Sequence, residues 1–297
     1  MDNEIYLNGE KIFTWPYGYS QFEIDLTSYV KEGENTIWVK NTYELPNSRW
    51  YPGSGIYRNV WLVRRPAVHF TTDGGYLSAK KEGDAFILHA DYEIQNDTDS
   101  ACEVTLCHTV LAPDGKVAGT SKETLTIPCG LTVNKQTMTF EAPLLWDIES
   151  PNLYTVHSEI IKDETAIDSS DERFGFRTIA FDPDKGFFLN GRNVKINGSC
   201  EHHTLGALGA AINREAVRRQ LTIMQKMGVN AIRSAHNMPA PELMELCDEM
   251  GLLLYTESFD MWEHCKTDYD YGNYFKDWWK TDLTSWVRQD RNLSLIH

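Results

Sequence analysis

Between Val194 and Trp262 the chain repeats one pattern three times: a short apolar segment, a polar end and then a helical periodicity. The apolar segments predict strands at residues 194–197, 230–232 and 252–255. Strands that alternate with helices indicate parallel βα units. In a (β/α) barrel the groups that contact substrate lie at the C-terminal ends of the strands. We therefore expect the three polar ends to lie together.

The helices of these units show in the spacing of apolar residues. Asn213 is the predicted cap of the first helix, Pro241 begins the second and Gly251 ends it. The predicted buried faces consist of Val217, Leu221, Met224 and Met227, then Leu243, Leu246, Cys247 and Met250, and finally Phe275, Trp279, Leu283, Trp286 and Val287. A complete barrel needs about 250 residues, so residues 180–297 have room for about three units, the first third of a TIM barrel.

Residues 1–66 carry β patterns. Asn8-Gly9 after an apolar segment is a strong hairpin signal. Further strands are predicted where Phe22, Ile24 and Leu26 alternate with polar residues, at residues 36–39 and at residues 59–63. A closed jelly roll needs about eight strands and only four or five are visible, which predicts a partial jelly-roll β-sandwich.

Residues 67–179 show short strands separated by turn signals, at residues 85–94, 102–111, 124–127, 153–161 and 173–179. This spacing is typical of an immunoglobulin-like β-sandwich, and nothing in it points to catalysis. The predicted fold class is therefore multidomain β plus α/β. Its parts are a partial jelly roll at 1–66, an immunoglobulin-like sandwich at 67–179 and the N-terminal part of a TIM-barrel domain at 180–297.

Composition narrows the range of partners. The 297 residues are 41% hydrophobic and 24% charged, as in ordinary globular proteins. No apolar segment approaches the roughly 20 residues of a membrane helix. A net charge of −15 argues against nucleic acid or an anionic membrane as a partner, whereas a neutral sugar is compatible with it.

The six cysteines form no C-x-x-C pair, so neither a zinc site nor a redox motif is supported. Cys247 lies among apolar helix positions and is most simply a small core residue. No basic region followed by an apolar core is visible at the N-terminus. We expect reduced thiols, a cytoplasmic location and no metal or cofactor.

The first two polar ends offer imidazoles and an amide. His202 and His203 follow the first strand, and neutral imidazole offers sugar hydroxyls one donor and one acceptor. The alternative is a pair of loop histidines whose hydrogen bonds are satisfied within the protein. His236 and Asn237 follow the second strand, where the amide can hold a hydroxyl or orient a carboxylate.

The third polar end offers carboxylates and an indole. Glu257 follows an apolar strand, so we expect it to be half-buried and to need a partner. Asp260 lies three residues further on, and Trp262 can either stack against a sugar or simply pack at the barrel rim. Each signal is weak alone, and their repetition at one structural position makes them a candidate site.

Several motifs resemble glycoside hydrolase family 2, and within it bacterial β-galactosidases most closely. The resemblance covers essentially the whole chain in domain order. It is carried by Ser48-Arg49-Trp50-Tyr51-Pro52-Gly53-Ser54-Gly55-Ile56-Tyr57-Arg58, Phe181-Asp182-Pro183 with Gly186-Phe187-Phe188-Leu189-Asn190-Gly191, Asn197-Gly198 with His202-His203, Met227-Gly228-Val229-Asn230-Ala231-Ile232-Arg233-Ser234-Ala235-His236-Asn237, and Leu246-Cys247-Asp248-Glu249.

The resemblance implies a retaining glycosidase that acts on terminal β-D-galactosides through two carboxyl groups roughly 5–5.5 Å apart. The family places its acid/base Glu in an Asn-Glu pair that closes strand four, and its nucleophile Glu on strand seven. Asp290-Arg291-Asn292 resembles the segment just before strand four, and residues 293–297 then depart from the family pattern. We therefore expect a chain truncated at both ends, without either catalytic Glu and inactive in isolation.

The resemblance also assigns roles to residues of this chain. His202 and His236 are expected to contact the sugar or steady its transition state, Asn237 and Glu257 to line the same pocket, and Asp260 and Trp262 to flank it. Thr256 stands where the family usually has Asp, which puts some orientation of neighbouring groups in doubt. The loop with Asn47, Arg49 and Trp50 is expected to reach toward the barrel. The magnesium ligands of some relatives lie mainly beyond His297, so no metal site is expected.

Two alternatives remain. A β-glucuronidase or β-mannosidase shares the scaffold, and a non-catalytic carbohydrate-binding protein would fold and bind sugar as it stands. An open part-barrel exposes strand edges and apolar surface, so a homo-oligomer formed through that edge is also a prediction.

Overall fold

The computed structural model describes residues 2–50 and 52–293. The chain begins with a three-stranded antiparallel sheet in the order β2-β1-β3. Its strands are β1 (Asn3–Leu7), β2 (Glu10–Trp15) and β3 (Ile37–Asn41). Asn8 and Gly9 both adopt positive φ between β1 and β2. This is the backbone that a two-residue hairpin turn requires, so the predicted Asn8-Gly9 hairpin is confirmed.

Two strands predicted within residues 1–66 are wrong. Residues 21–26 and 59–63 have no strand structure. The Phe22 ring stacks on the Phe13 and Trp15 rings, with centroids 5.8 and 5.4 Å apart. The apolar position of Phe22 in the alternating pattern therefore reflects aromatic packing. Val60 and its three apolar successors are all exposed and have no partner strand among the described residues. An apolar pattern becomes a strand only where a neighbour supplies backbone partners.

A two-layer antiparallel sandwich follows, as the immunoglobulin-like prediction requires. One sheet has the order β4-β5-β8 and the other β10-β9-β6-β7. The strands are β4 (Val68–Glu82), β5 (Ala85–Asn96), β6 (Cys102–Leu111), β7 (Val117–Ile127), β8 (Gly130–Glu141), β9 (Tyr154–Lys162) and β10 (Thr165–Phe174). Alternate side chains of both sheets, such as Leu88 and Val156, form one buried core.

The strand predicted at residues 173–179 is wrong as a single element. It spans the end of β10 and the start of β11 (Ile179–Asp182). Between them Phe176 is fully buried against Phe86 and Phe140. Its apolar side chains therefore belong to the sandwich core while the backbone leaves the sheet. A short hairpin of β11, β12 (Gly186–Leu189) and β13 (Arg192–Asn193) follows.

The last region contains parallel βα units and forms the start of a TIM barrel, with no closed barrel within residues 2–50 and 52–293. Three parallel strands lie side by side in the order β14-β15-β16. The elements are β14 (Gly198–Glu201), a 3₁₀ turn (Gly206–Leu208), α1 (Arg214–Lys226), β15 (Ala231–Ser234), α2 (Pro241–Met250), β16 (Leu253–Tyr255) and α3 (Gly272–Asp290).

The first barrel strand lies later than predicted. Residues 194–197 are irregular, whereas Gly198 pairs with Ala231 and Glu201 with Ser234. Val194 is nevertheless buried in the barrel core cluster. The apolar pattern located a core segment correctly, but the register with the next strand decides which residues form the strand.

The predicted helix ends are confirmed, whereas some residues predicted to lie on the buried helix faces are exposed. Asn213 caps α1 by accepting from the backbone N–H of Ala216, and Val217 and Leu221 are buried. Met227 is 76% exposed because α1 ends one residue earlier. In α3, Trp279 and Val287 are exposed, contrary to the prediction, and the buried residues are Phe275, Asp282 and Asp290.

Contacts between the sandwich and the barrel units place the two regions against each other. Three arginines converge on the Glu249 carboxylate: Arg173 of β10, and Arg214 and Arg218 of α1, at 2.5, 2.6 and 3.2 Å. One carboxylate of α2 therefore ties the sandwich and two helices together.

Gly251 ends α2 with φ of 72°, and a Cβ added there would collide with the carbonyl oxygen of Ile148. Gly228, which follows α1 with φ of 86°, has nothing within 4 Å of the same position. We expect Gly228→Ala to lower the free energy of unfolding by about 1 kcal/mol, the strain of a left-handed alanine. Gly251→Ala adds steric displacement of backbone, for about 3 kcal/mol in all. Urea unfolding followed by circular dichroism at 222 nm measures both free energies of unfolding. Equal losses of stability in the two variants would contradict a collision between residue 251 and the Ile148 carbonyl.

Candidate active site

A cleft of about 430 Å³ lies at the ends of β15 and β16. Four of the six predicted site residues line it: His236, Glu257, Asp260 and Trp262. His236 follows β15, and Glu257, Asp260 and Trp262 lie in the loop after β16. Loops at the C-terminal edge of parallel strands lie side by side, which brings these side chains together. Arg49 and Arg233 also line the cleft.

One wall of the cleft is an ion-paired carboxylate. Glu257 is half-buried, and Arg233 contacts its Oε1 while His236 Nδ1 lies 2.9 Å from its Oε2. The backbone N–H of Glu257 donates to Ser234 Oγ at 3.1 Å. The prediction that Glu257 needs a partner is confirmed, and both of its oxygens are engaged.

A second ion pair lies beside it. Asp260 is buried, and its carboxylate contacts Arg49 and lies 3.2 Å from Lys266 Nζ. Arg49 comes from the loop after β3, so the expectation that this loop reaches toward the barrel is confirmed. Asp260 is thereby held by groups from two distant parts of the chain.

Aromatic rings cover the same side. The Trp50 ring lies 5.2 Å from the His202 ring and 5.4 Å from the His236 ring, and the two imidazoles are 5.2 Å apart. Partial burial and the nearby His236 and Arg233 side chains lower the pKa of His202, so its imidazole is neutral near pH 7 and can both donate and accept. The indole of Trp262 is largely exposed at the rim.

Other residues at the strand ends point elsewhere. Asn237 is 4% exposed and contacts Tyr17 instead of the cleft. Burial lowers the pKa of His203 to about 3, and its ring packs 4.8 Å from Tyr19. Glu201 accepts from Gln220 of α1 at 2.7 Å. The three strand ends therefore lie together, but only residues at the ends of β15 and β16 line the cleft.

The residues that were not predicted include Arg233, which lines the cleft, and Tyr17, which lies behind it. Arg233 lies within an apolar strand, where a charge needs a partner, and that need is a signal that points to Glu257. Tyr17 lies 220 residues before Asn237, and no local pattern connects them. Among the residues that the structure describes, no group of three or more His, Cys, Asp or Glu side chains is placed to hold a metal ion.

Two carboxylates at the cleft wall are paired with three cations, since Arg233 contacts Glu257 while Arg49 and Lys266 both contact Asp260. These paired groups, together with an imidazole and an indole, can bind a polyhydroxylated ligand, whose hydroxyl groups both donate and accept. The part of the chain that the structure describes contains no helix long and apolar enough to cross a membrane.

Two family models match the chain: glycosyl hydrolases family 2 over residues 76–177, and the TIM barrel domain of the same family over residues 183–280. The chain belongs to glycoside hydrolase family 2. The resemblance expected from the motifs is therefore confirmed for this family, and so are the sandwich and the barrel start.

Relatives within family 2 differ in the sugar that their names give. Beta-galactosidase BoGH2A of Bacteroides ovatus is 41% identical over 98% of this chain and 35% of its own length. A beta-glucuronidase of Bacteroides fragilis is 30% identical over 86% of this chain and 38% of its own length. The chain thus spans a little over a third of the length of these relatives.

A solved structure of a family 2 member from Bacteroides cellulosilyticus superposes with a TM-score of 0.96 at 35% identity. The superposition covers 100% of this chain and 39% of that chain. The arrangement of sheet, sandwich and first barrel units is therefore that of a larger family 2 fold.

Proposed function

We propose that this chain forms the first substrate-binding wall of a retaining glycoside hydrolase that acts on terminal β-D-galactosides. The observation that carries the proposal is the convergence of the β15 and β16 ends on one cleft with paired charges. His202, His236, Glu257, Asp260 and Trp262 hold the sugar in this proposal. The carboxyl groups that cleave the bond come from regions that the longer relatives possess.

Glu257 has a binding role in this proposal because its two oxygens are occupied by Arg233 and His236. A retaining nucleophile must attack the anomeric carbon with one carboxylate oxygen, whereas both oxygens of Glu257 are directed at protein groups. Asp260 is likewise held by Arg49 and Lys266. In this proposal both carboxylates orient the cleft wall.

A galactoside is favoured over a glucuronide by charge. A uronate carries a carboxylate that needs a cation free to bind it, whereas Arg49, Arg233 and Lys266 at the described cleft wall each already contact a carboxylate. A β-glucuronidase remains the second candidate because a relative of that name is 30% identical. The two differ in which aryl glycoside is cleaved.

The test joins this chain to the remaining C-terminal part of the Bacteroides ovatus relative and assays 4-nitrophenyl β-galactoside, β-glucuronide and β-mannoside. We expect kcat/KM to be at least about 100-fold higher for the galactoside, since polar sites discriminate by hydrogen bonding. Glu257→Gln is expected to lower that value about 10- to 100-fold, whereas loss of a catalytic carboxylate costs far more. A preference for the glucuronide would contradict the substrate proposal.

The 297-residue chain alone is expected to show no hydrolysis of these aryl glycosides. Turnover by the purified chain that Glu257→Gln abolishes would show instead that Glu257 is catalytic. We also propose a cytoplasmic location, supported by six unpaired cysteines. Self-association through the open β14–β16 sheet is proposed as well, and sedimentation velocity measures it.

A further inference from the structure

A segment of the N-terminal region lies directly behind the cleft. Tyr17 is 2% exposed and packs against Phe259 and Tyr271, with ring centroids 5.3 and 4.3 Å away. These three residues belong to one buried cluster that also contains Met238. A residue that follows β2 therefore forms part of the core beneath the barrel strand ends.

The Tyr17 hydroxyl bridges two of those ends. Its oxygen lies 2.7 Å from Asn237 Oδ1 and 2.7 Å from the carbonyl oxygen of Ser258. Asn237 directly follows His236, and Ser258 directly follows Glu257. The phenol therefore joins the two loops behind the cleft wall. On the cleft side the same loops carry His236 and Glu257, whose Nδ1 and Oε2 atoms are 2.9 Å apart.

The number of hydrogens decides how the bridge is arranged. A phenol carries one hydrogen, and the Ser258 carbonyl can only accept, so Tyr17 donates to Ser258. The Asn237 carboxamide satisfies the second contact when a half-turn about its last torsion brings its NH₂ group to the Tyr17 oxygen. The Asn237 amide then donates to the Tyr17 oxygen, and the Tyr17 hydroxyl donates to the Ser258 carbonyl. Both buried contacts are satisfied together.

We propose that Tyr17 is a positioning residue of the cleft, which sets the spacing of the loops that carry His236 and Glu257. The proposal rests on the sugar-binding function proposed above. Tyr17 itself lies behind the wall and does not line the cleft. It acts on a sugar only through the two loops that it joins.

The test uses the 297-residue chain with Tyr17→Phe, which keeps the ring and removes the hydroxyl, and Asn237→Asp, whose ionised carboxylate cannot donate. The control is Tyr57→Phe, because the Tyr57 hydroxyl donates to Gly18 O at 2.7 Å and touches neither loop. Hydrogen exchange of the Glu257 amide is the first measurement, since this group is bonded to Ser234 Oγ. The second is the dissociation constant of a non-hydrolysable S-linked β-galactoside, measured by NMR titration.

We expect Tyr17→Phe and Asn237→Asp each to speed exchange of the Glu257 amide at least tenfold while α1 and α2 amides keep their rates. We expect both to weaken galactoside binding about tenfold, with Tyr57→Phe changing neither. Unchanged Glu257 exchange in Tyr17→Phe, or an equal effect of Tyr57→Phe, overturns the proposal. If the unmutated chain binds no galactoside, the proposed function fails, and the exchange rates alone decide whether Tyr17 positions the loops.

Discussion

Trp146→Ala is expected to lower the free energy of unfolding of the barrel units by about 3–5 kcal/mol, the usual range for removing a buried tryptophan ring. Trp146 is 0% exposed and comes from the segment between β8 and β9 of the sandwich. Its ring nevertheless lies in the barrel core with Leu246 and Leu254. Its indole N–H also donates to the carbonyl oxygen of Asp248 at 2.9 Å.

The loss combines a cavity in the barrel core with a broken hydrogen bond between two regions. Urea unfolding at 222 nm reports on it, because the three α-helices of the described chain all lie in the barrel units. Trp61→Ala is the control, since Trp61 is 79% exposed and its removal should change stability by no more than about 0.5 kcal/mol. Equal effects of the two variants would show that Trp146 does not join the regions.

Asp290→Asn is expected to stabilise the chain by up to about 4 kcal/mol at pH 7 and by much less below pH 4. Asp290 is 3% exposed at the end of α3. Burial raises the pKa of its carboxyl from 3.8 to about 8, although a hydrogen bond from Gln289 opposes the change. Asn keeps the shape and stays neutral.

The direction follows from proton binding. Between pH 4 and 8 the folded chain keeps the Asp290 proton while the unfolded chain has lost it, so this group makes stability fall as the pH rises. Asp290→Asn removes that slope, and the gain should level off above pH 8. Asp184→Asn, at an exposed turn, is the control and should show no such dependence. A gain that does not grow between pH 5 and 8 would count against a buried, protonated Asp290.

Local patterns were sufficient for several elements because their causes are local. Asn8-Gly9 adopts the positive φ angles of a hairpin, Asn213 caps α1, and Gly251 ends α2. Each depends on the conformational preferences of a few neighbouring residues. The polar residues after β15 and β16 lie together, as expected, because parallel strands bring their C-terminal ends to one edge.

Patterns failed where a distant partner decides the outcome. Residues 59–63 carry a strand-like sequence without a neighbour in the described structure, and β14 lies where β15 gives it a register. Asn237 was predicted to line the cleft, a role that remains a prediction, but the structure places its amide against Tyr17. Composition and spacing carry no information that a tyrosine 220 residues away forms a hydrogen bond with that amide.

The sequence by itself determined the family, the order of the β regions and barrel units, and the type of side chain at each strand end. The tertiary structure decided which of those side chains share the cleft and which face inward. It also showed that Arg233 and Arg49 neutralise Glu257 and Asp260. The physical reason is that local propensity acts over a few residues, whereas burial and charge pairing depend on groups that only the folded chain brings within a few ångströms.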